Sequence, residues 1–420
     1  MAGFAGHFLQ SSAALMTILL LSAGLARGQD AGRARLESEA TAQAAEADRL
    51  FKAGDYAAAL PIYQAERASR KILGDLRYES LAARAIGSCL ANLRDFDGAI
   101  EAYLEVIPID TERKAVGDLG YDWLLIGQAE KDRGRPADAV RALRKSIALL
   151  SKASEVDHEA DAQWLYGQLA IDLNRADIAW PALTRGIQLA ESLKDAGRLS
   201  RLKAELGRTA AMLGANALAA ETFSDARFAL TKLDRPGEVA EVDRRLADVL
   251  TELGNVDAAS ARAEMALEAH TKLEQQADLA DDAAWLAALR IRQGRPADAA
   301  TFANRAVEAF RAADDRPGEI AALVLLADAR GKTNDWSAAA KALGEAVDTA
   351  RQDEDPVALG RLLILAGEVG AKAGDRSRSE ALFAEASSLS AKAKNADLAK
   401  ALADAKLRSL PGQPKAAKPK

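Results

Sequence analysis

The sequence keeps time in steps of forty residues. Gly54, Arg94, Gly134, Asn174, Gly214, Gly254, Gly294, Asn334 and Gly374 stand at equal intervals, and eight of the nine are glycine or asparagine, the residues that accept the left-handed backbone ending a helix. Five residues after each anchor comes Ala59, Ala99, Ala139, Ala179, Ala219, Ala259, Ala299, Ala339 and then Ser379. Seven before each comes Ala47, Gly87, Gly127, Gly167, Gly207, Ala247, Ala287, Ala327 and Gly367. Side chains this small on both flanks of a tight turn let two helices cross at close range. The hexapeptide GRPADA, found at 134–139 and again at 294–299, is two members of this series rather than two copies of a catalytic site.

Each unit therefore reads as a helix, a short turn, a second helix and a connector, with helices of ~15–18 residues. Large apolar residues flank the small ones: Ile86, Ile126, Leu206, Leu246, Leu286 and Leu326 on the first helix, and Tyr63, Tyr103, Leu143, Leu183, Phe223, Leu343 and Phe383 nine residues after the anchor. Alanine dominates the apolar content and aromatics are only 5% of the chain, which favours closely packed helices over sheets. The connectors carry breaker sequences, LDRPGE at 233–238, DDRPGE at 314–319 and DEDPVA at 353–358. Pro61 and Pro181 fall inside second helices, where proline removes a backbone donor, so those helices are expected to kink or to begin late.

The segments AGDYAAALPIYQ (53–64) and LRDFDGAIEAYLEV (93–106) resemble the tetratricopeptide repeat: a small residue in the first helix, a Gly-Asp-Tyr-like turn, an alanine, an aromatic, and a further small residue. That last place is filled by Ser146, Gly186, Ala226, Ala266, Ala306, Ala346 and Ala386, but by Glu66 and Val106 in the first two units. The family's usual period is 34 residues. A period of forty is similar to the long-helix variant of kinesin light chains and many bacterial regulators. The resemblance covers about residues 40–395 and implies an all-α, right-handed α-solenoid of about nine helix-turn-helix units over 29–394. Residues 395–410 then supply the polar capping helix that a repeat array needs, and the Pro/Lys-rich 411–420 form a disordered tail.

Residues 1–28 stand apart. An apolar run from Phe8 to Ala26 contains no Asp, Glu, Lys or Arg and is followed by small residues up to Gly28, the layout of a cleaved secretory signal peptide. The alternative is an uncleaved N-terminal membrane anchor. With cleavage the protein is secreted to a bacterial periplasm, and membrane contact is confined to the leader if it stays.

Catalytic and cofactor signatures are weak. The net charge of −6 and the lack of a long basic stripe argue against nucleic acid as a partner. Cys89 is the one cysteine and reads as a buried small apolar residue. His158 reads as a solvated connector histidine, and no His/Cys/Asp spacing suggests a metal site. Gly331-Lys332-Thr333 lacks the upstream glycine of a phosphate loop, since Leu326 stands there. The Ser200–Lys203 spacing has no partner motif. The pairs Asp281–Asp282 and Asp314–Asp315 read as acidic helix starts that suit the helix dipole. The chain is expected to be non-catalytic and to need no cofactor.

The resemblance places groove-facing residues on the first helices, thirteen, ten, six and three before each anchor. Carried over, the candidates for binding a protein or peptide are Arg84, Tyr121, Gln128, Trp164, Gln168, Arg208 and Arg244. The family's carboxylate-binding version has Lys and Asn where Arg84 and Ser88 stand, so that chemistry does not transfer. Tyr121 and Trp164 are either hot-spot residues of the groove or packing between neighbouring units. An exported protein-interaction scaffold is the leading expectation. A ligand- or peptide-responsive sensor, or an accessory subunit of an envelope enzyme or secretion complex, are the alternatives.

Overall fold

The computed structural model describes residues 30–352 and 355–409; the leader and the Lys/Pro tail lie outside them. Nineteen helices and no strand are found among the described residues. By the forty-residue register they run as nine successive helix pairs, or hairpins, and a last helix: α1 (30–52) and α2 (Tyr56–Leu73), α3 (Leu76–Asn92) and α4 (Phe96–Glu112), α5 (Val116–Asp132) and α6 (Pro136–Ala153), α7 (Val156–Asp172) and α8 (Ala176–Leu193), α9 (Ala196–Met212) and α10 (Asn216–Lys232), which fall in different units, α11 (Pro236–Glu252) and α12 (Val256–Lys272), α13 (Gln276–Arg292) and α14 (Pro296–Ala312), α15 (Arg316–Lys332) and α16 (Trp336–Ala350), α17 (Pro356–Lys372) and α18 (Arg376–Ala393), then α19 (Ala396–Arg408). The fold is an all-α solenoid. The helices divide into two units, Met1–Leu213 and Gly214–Lys420, and within each unit every helix packs on the next in sequence.

All nine anchors are left-handed, with φ between +55° and +87°. The helix that follows starts two residues later each time, and at Asp55, Asp95, Asn255, Asp335 and Asp375 the intervening side chain accepts a hydrogen bond from the third helical amide, satisfying a donor that the helix leaves open. The connectors use the same device. Gly74, Lys114, Ser154, Lys194, Asp234, Glu274, Asp314 and Lys394 have φ between +50° and +68°. The backbone thus repeats every twenty residues, although the side chains repeat every forty. Seven of these eight connector residues are not glycine, each holding a conformation that costs a residue with a Cβ about 1 kcal/mol.

The small-residue ladder is the core. All eighteen positions are buried. A Cβ added to Gly87 would fall 2.6 Å from Cδ1 of Tyr103, one on Gly127 2.7 Å from Cγ of Leu143, and one on Gly167 2.5 Å from Cδ2 of Leu183. The large residue nine after the anchor is therefore the knob, and the glycine seven before it is the hole. In the sixth and seventh hairpins the volumes are exchanged. Ala247 and Ala287 take the glycine's place while Ala263 and Ala303 replace the knob, and all four are fully buried.

Pro61 and Pro181 do not delay their helices, which begin in phase at Tyr56 and Ala176 with each proline in the second turn; Pro108 lies further along α4. Glu66, in the place usually held by a small residue, is buried and paired with Arg70 at 3.5 Å. Cys89 is buried, its thiol pushed up to about 11 by burial.

Candidate functional site

The first helices bring the sequence candidates into quite different surroundings. Arg84 is only 7% exposed. Its Nη2 donates to Asp110 and its Nε to Asp122, each at 2.6 Å, and both carboxylates are fully buried. The guanidinium is thus spent inside the protein, tying α3 to α4 and α5. Tyr121 is half-buried, its ring 4.5 Å from that of His158 and 5.7 Å from the Arg84 guanidinium. His158 lies in the first turn of α7 rather than in a connector, and it is half-buried. Gln128 bonds along its own helix to Asp132 at 2.9 Å. Trp164 is half-buried beside the exposed Arg201, whose guanidinium sits 5.7 Å from the ring. Gln168 donates to Glu205 at 3.0 Å, and Arg208 pairs with the same Glu205 at 2.7 Å. Trp164, Gln168 and Arg208 belong to one surface of α7 and α9; Arg84 does not join it.

Arg244 stands on the wall of an open cavity of about 760 Å³ in the second unit, within the size range of small-ligand sites. The first helices α11 and α13 make its sides. Glu241, Arg244 and Asp248 come from α11, His270 from the end of α12, and Asp282 and Trp285 from α13. The Arg244 guanidinium lies 4.5 Å from the centre of the Trp285 ring, pairs with Asp248 at 2.9 Å and reaches Asp282 at 3.5 Å. Trp285 Nε1 donates to Asp248 at 2.7 Å. Glu241, Arg244 and Asp248 occupy three of the four register positions picked from the sequence. Trp285, four residues further into α13 than the register position at Asp281, was not among them.

On the cavity wall, His270 Nδ1 and Asp282 Oδ2 are 2.7 Å apart, with the two residues 4% and 1% exposed. Burial pulls the imidazole towards neutrality, but the Asp282 hydrogen bond and charge outweigh it and hold His270 above its ordinary value. Burial raises Asp282 against the pull of His270 and Arg244. The helix-dipole account of the acidic pairs fails for Asp282, which sits in the second turn of α13 and faces inwards. It holds for Asp315, the N-cap of α15, whose carboxylate accepts from the Gly318 amide.

Among the described residues no group of three or more His, Cys, Asp or Glu side chains is placed to hold a metal ion, and no described helix is long and apolar enough to cross a membrane. No curated protein matches the sequence. Residues 281–352, covering most of α13 to α16, match the tetratricopeptide repeat family. Over 87% of its length the chain superposes with a TM-score of 0.62 and 14% identity on a signal transduction ATPase with numerous domains (STAND) protein with a tetratricopeptide repeat sensor from Pyrococcus horikoshii. The described helices share the fold of tetratricopeptide repeat proteins. The chain spans only 55% of that STAND protein's length. RapI in its apo form is also similar in fold, with a TM-score of 0.59 and 14% identity over 85% of this chain and 99% of that one. So is aspartyl phosphate phosphatase F from Bacillus subtilis, with a TM-score of 0.50 and 12% identity over 84% and 94%. At these identities the likenesses concern the fold of the repeats and leave the function to the side chains.

Proposed function

We propose that this repeat protein is a non-catalytic scaffold that captures a protein or peptide segment on the faces of its first helices. The observation that carries this reading is the open cavity between α11 and α13, where an indole, a guanidinium and carboxylates meet on a rigid helical frame. Trp and Arg are the residues on which binding energy concentrates when a partner excludes water around them. The half-buried Trp164 with Arg201 offers a second aromatic contact in the first unit.

The test is capture by the immobilised full chain followed by mass spectrometry. Trp285→Ala is expected to lose at least about tenfold of the specifically enriched partner while the helical circular dichroism stays unchanged. Enrichment identical for the wild type and the variant would remove the cavity from the reading.

Export belongs to the same proposal, supported by the charge-free apolar run Phe8–Ala26 and the small residues after it. The mature chain is then expected outside the cytoplasm, beginning after Ala26 or Gly28; an N-terminal sequence that retains the leader would favour the anchor instead.

A further inference from the structure

Arg84, Asp110 and Asp122 in the first unit have positional counterparts in Arg244, His270 and Asp282 in the second. Each residue is offset by 160 positions, the same four-hairpin step that separates the two hexapeptides. In both units the arginine comes from the first helix of one hairpin, the second group from the end of that hairpin's second helix, and the aspartate from the first helix of the next hairpin. Each triad thus bridges three consecutive helices. Both aspartates are essentially unexposed, where an uncompensated charge is expensive.

We propose that the two triads are proton-operated joints, each holding one hairpin to the next more firmly when it carries a proton than when the proton is lost.

In the first unit Arg84 is shared by two buried carboxylates. Asp110 has a second cation, Arg113, at 2.5 Å, but Asp122 has Arg84 alone, and its Oδ2 is buried without a hydrogen-bond partner. A carboxylate in that position leaves a full lone-pair set unpaired, whereas a protonated carboxyl removes the charge. The other polar and charged groups around it are Ser80 of α3, which accepts from Arg84, Tyr103 of α4, and Asp118 and Tyr121 of α5, Asp118 pairing with Arg113 at 3.0 Å. Burial pushes Asp122 up to about 7 against the pull of Arg84, and Asp110 adds to the rise. In the second unit the shared group is an imidazole. His270 faces Asp282 and Asp278 of α13 and Glu241 of α11, with Arg244 on the other oxygen of Asp282. That field favours the imidazolium.

The signs agree. A buried aspartate with a raised folded value stabilises the fold most below its unfolded value and loses that contribution as pH rises through the folded one, so the first joint loosens between about pH 4 and pH 7. A histidine with a raised folded value contributes fully below its unfolded value of about 6.5 and loses the contribution as pH rises through the folded one, so the second joint loosens above that.

Native-state hydrogen exchange on the full chain at about pH 5.5 and about pH 8, corrected for intrinsic amide rates, tests this. Protection of the α5 amides is expected to fall at least about tenfold at the higher pH, since one linked proton gives up to about tenfold per pH unit, and that of the α13 amides is expected to fall in the same direction. Asp122→Asn, which keeps the shape of the neutral carboxyl, is expected to flatten the response of α5 and leave that of α13. His270→Gln is expected to do the reverse, so each variant is the other's control. Equal protection of the wild type at the two pH values overturns the proposal even if a variant fails to fold. So does a response in α5 that survives Asp122→Asn, or one in α13 that survives His270→Gln.

Discussion

Arg84→Ala is expected to lower the local stability of α3–α5 by about 3–5 kcal/mol at about pH 8, where Asp122 is ionised in the wild type and must take up a proton or stand unpaired once its partner is gone. Asp122 would keep no cation, and Asp110 only Arg113. The reference substitution is Arg208→Ala. That guanidinium is part-buried and pairs with Glu205 on its own helix α9, and Gln168 still donates to that carboxylate once the arginine is gone, so its loss is expected to cost only about 1 kcal/mol. Opening free energies from native-state hydrogen exchange separate the two. Equal, small effects from both would show that the buried network carries no net burden. The contrast also tells a binding arginine from a structural one. Both residues satisfy the same register from the sequence, but only Arg208 is still accessible to a partner.

The second large effect concerns the knob and hole of the third hairpin. Leu143→Ala deletes a fully buried side chain and is expected to cost about 3–5 kcal/mol. Gly127→Ala places a methyl 2.7 Å from Leu143 Cγ, and such overpacking costs about 1–3 kcal/mol. The double substitution is expected to cost at least about 1 kcal/mol less than the two single costs added, because coupled neighbours are non-additive and the new methyl partly fills the space vacated. The protein already contains that solution at Ala287 and Ala303. Urea unfolding of the four proteins measures the coupling, and strict additivity would sink the knob-and-hole account.

What the sequence disclosed was set by how local the physics is. Left-handed turns at glycine and asparagine were legible because few other residues take that conformation freely, and Arg94 could be placed because its eight companions fixed the period. The equally left-handed Lys114, Ser154, Lys194 and Glu274 were not legible, since nothing in those residue types announces a positive φ. The twenty-residue backbone repeat was hidden for that reason. The prolines misled in part. A helix held in phase by buried contacts on both sides accommodates Pro61 and Pro181 without a shifted start, since tertiary packing outweighs one lost hydrogen bond.

The candidate site divides the same way. The register from the turn picked out Glu241, Arg244 and Asp248 on the cavity wall, but it could not separate Arg84, which the identities of Asp110 and Asp122 draw inwards. Trp285 and His270 were missed because neither stands at a register position. A signal for the triads was present: Arg84 and Asp122 recur as Arg244 and Asp282 at the same offset as the hexapeptide. Superimposing the second and third hairpins on the sixth and seventh, residue by residue, brings it out.

Within each unit, the packing of helices on their sequence neighbours has a consequence for how such a chain comes into being. A polypeptide delivered end first, from a ribosome or through any narrow exit, needs about forty residues in the open to close a hairpin, and the next forty find their docking surface already waiting. No segment must stay exposed until a remote one is synthesised, which is when slow-folding chains are most prone to aggregate.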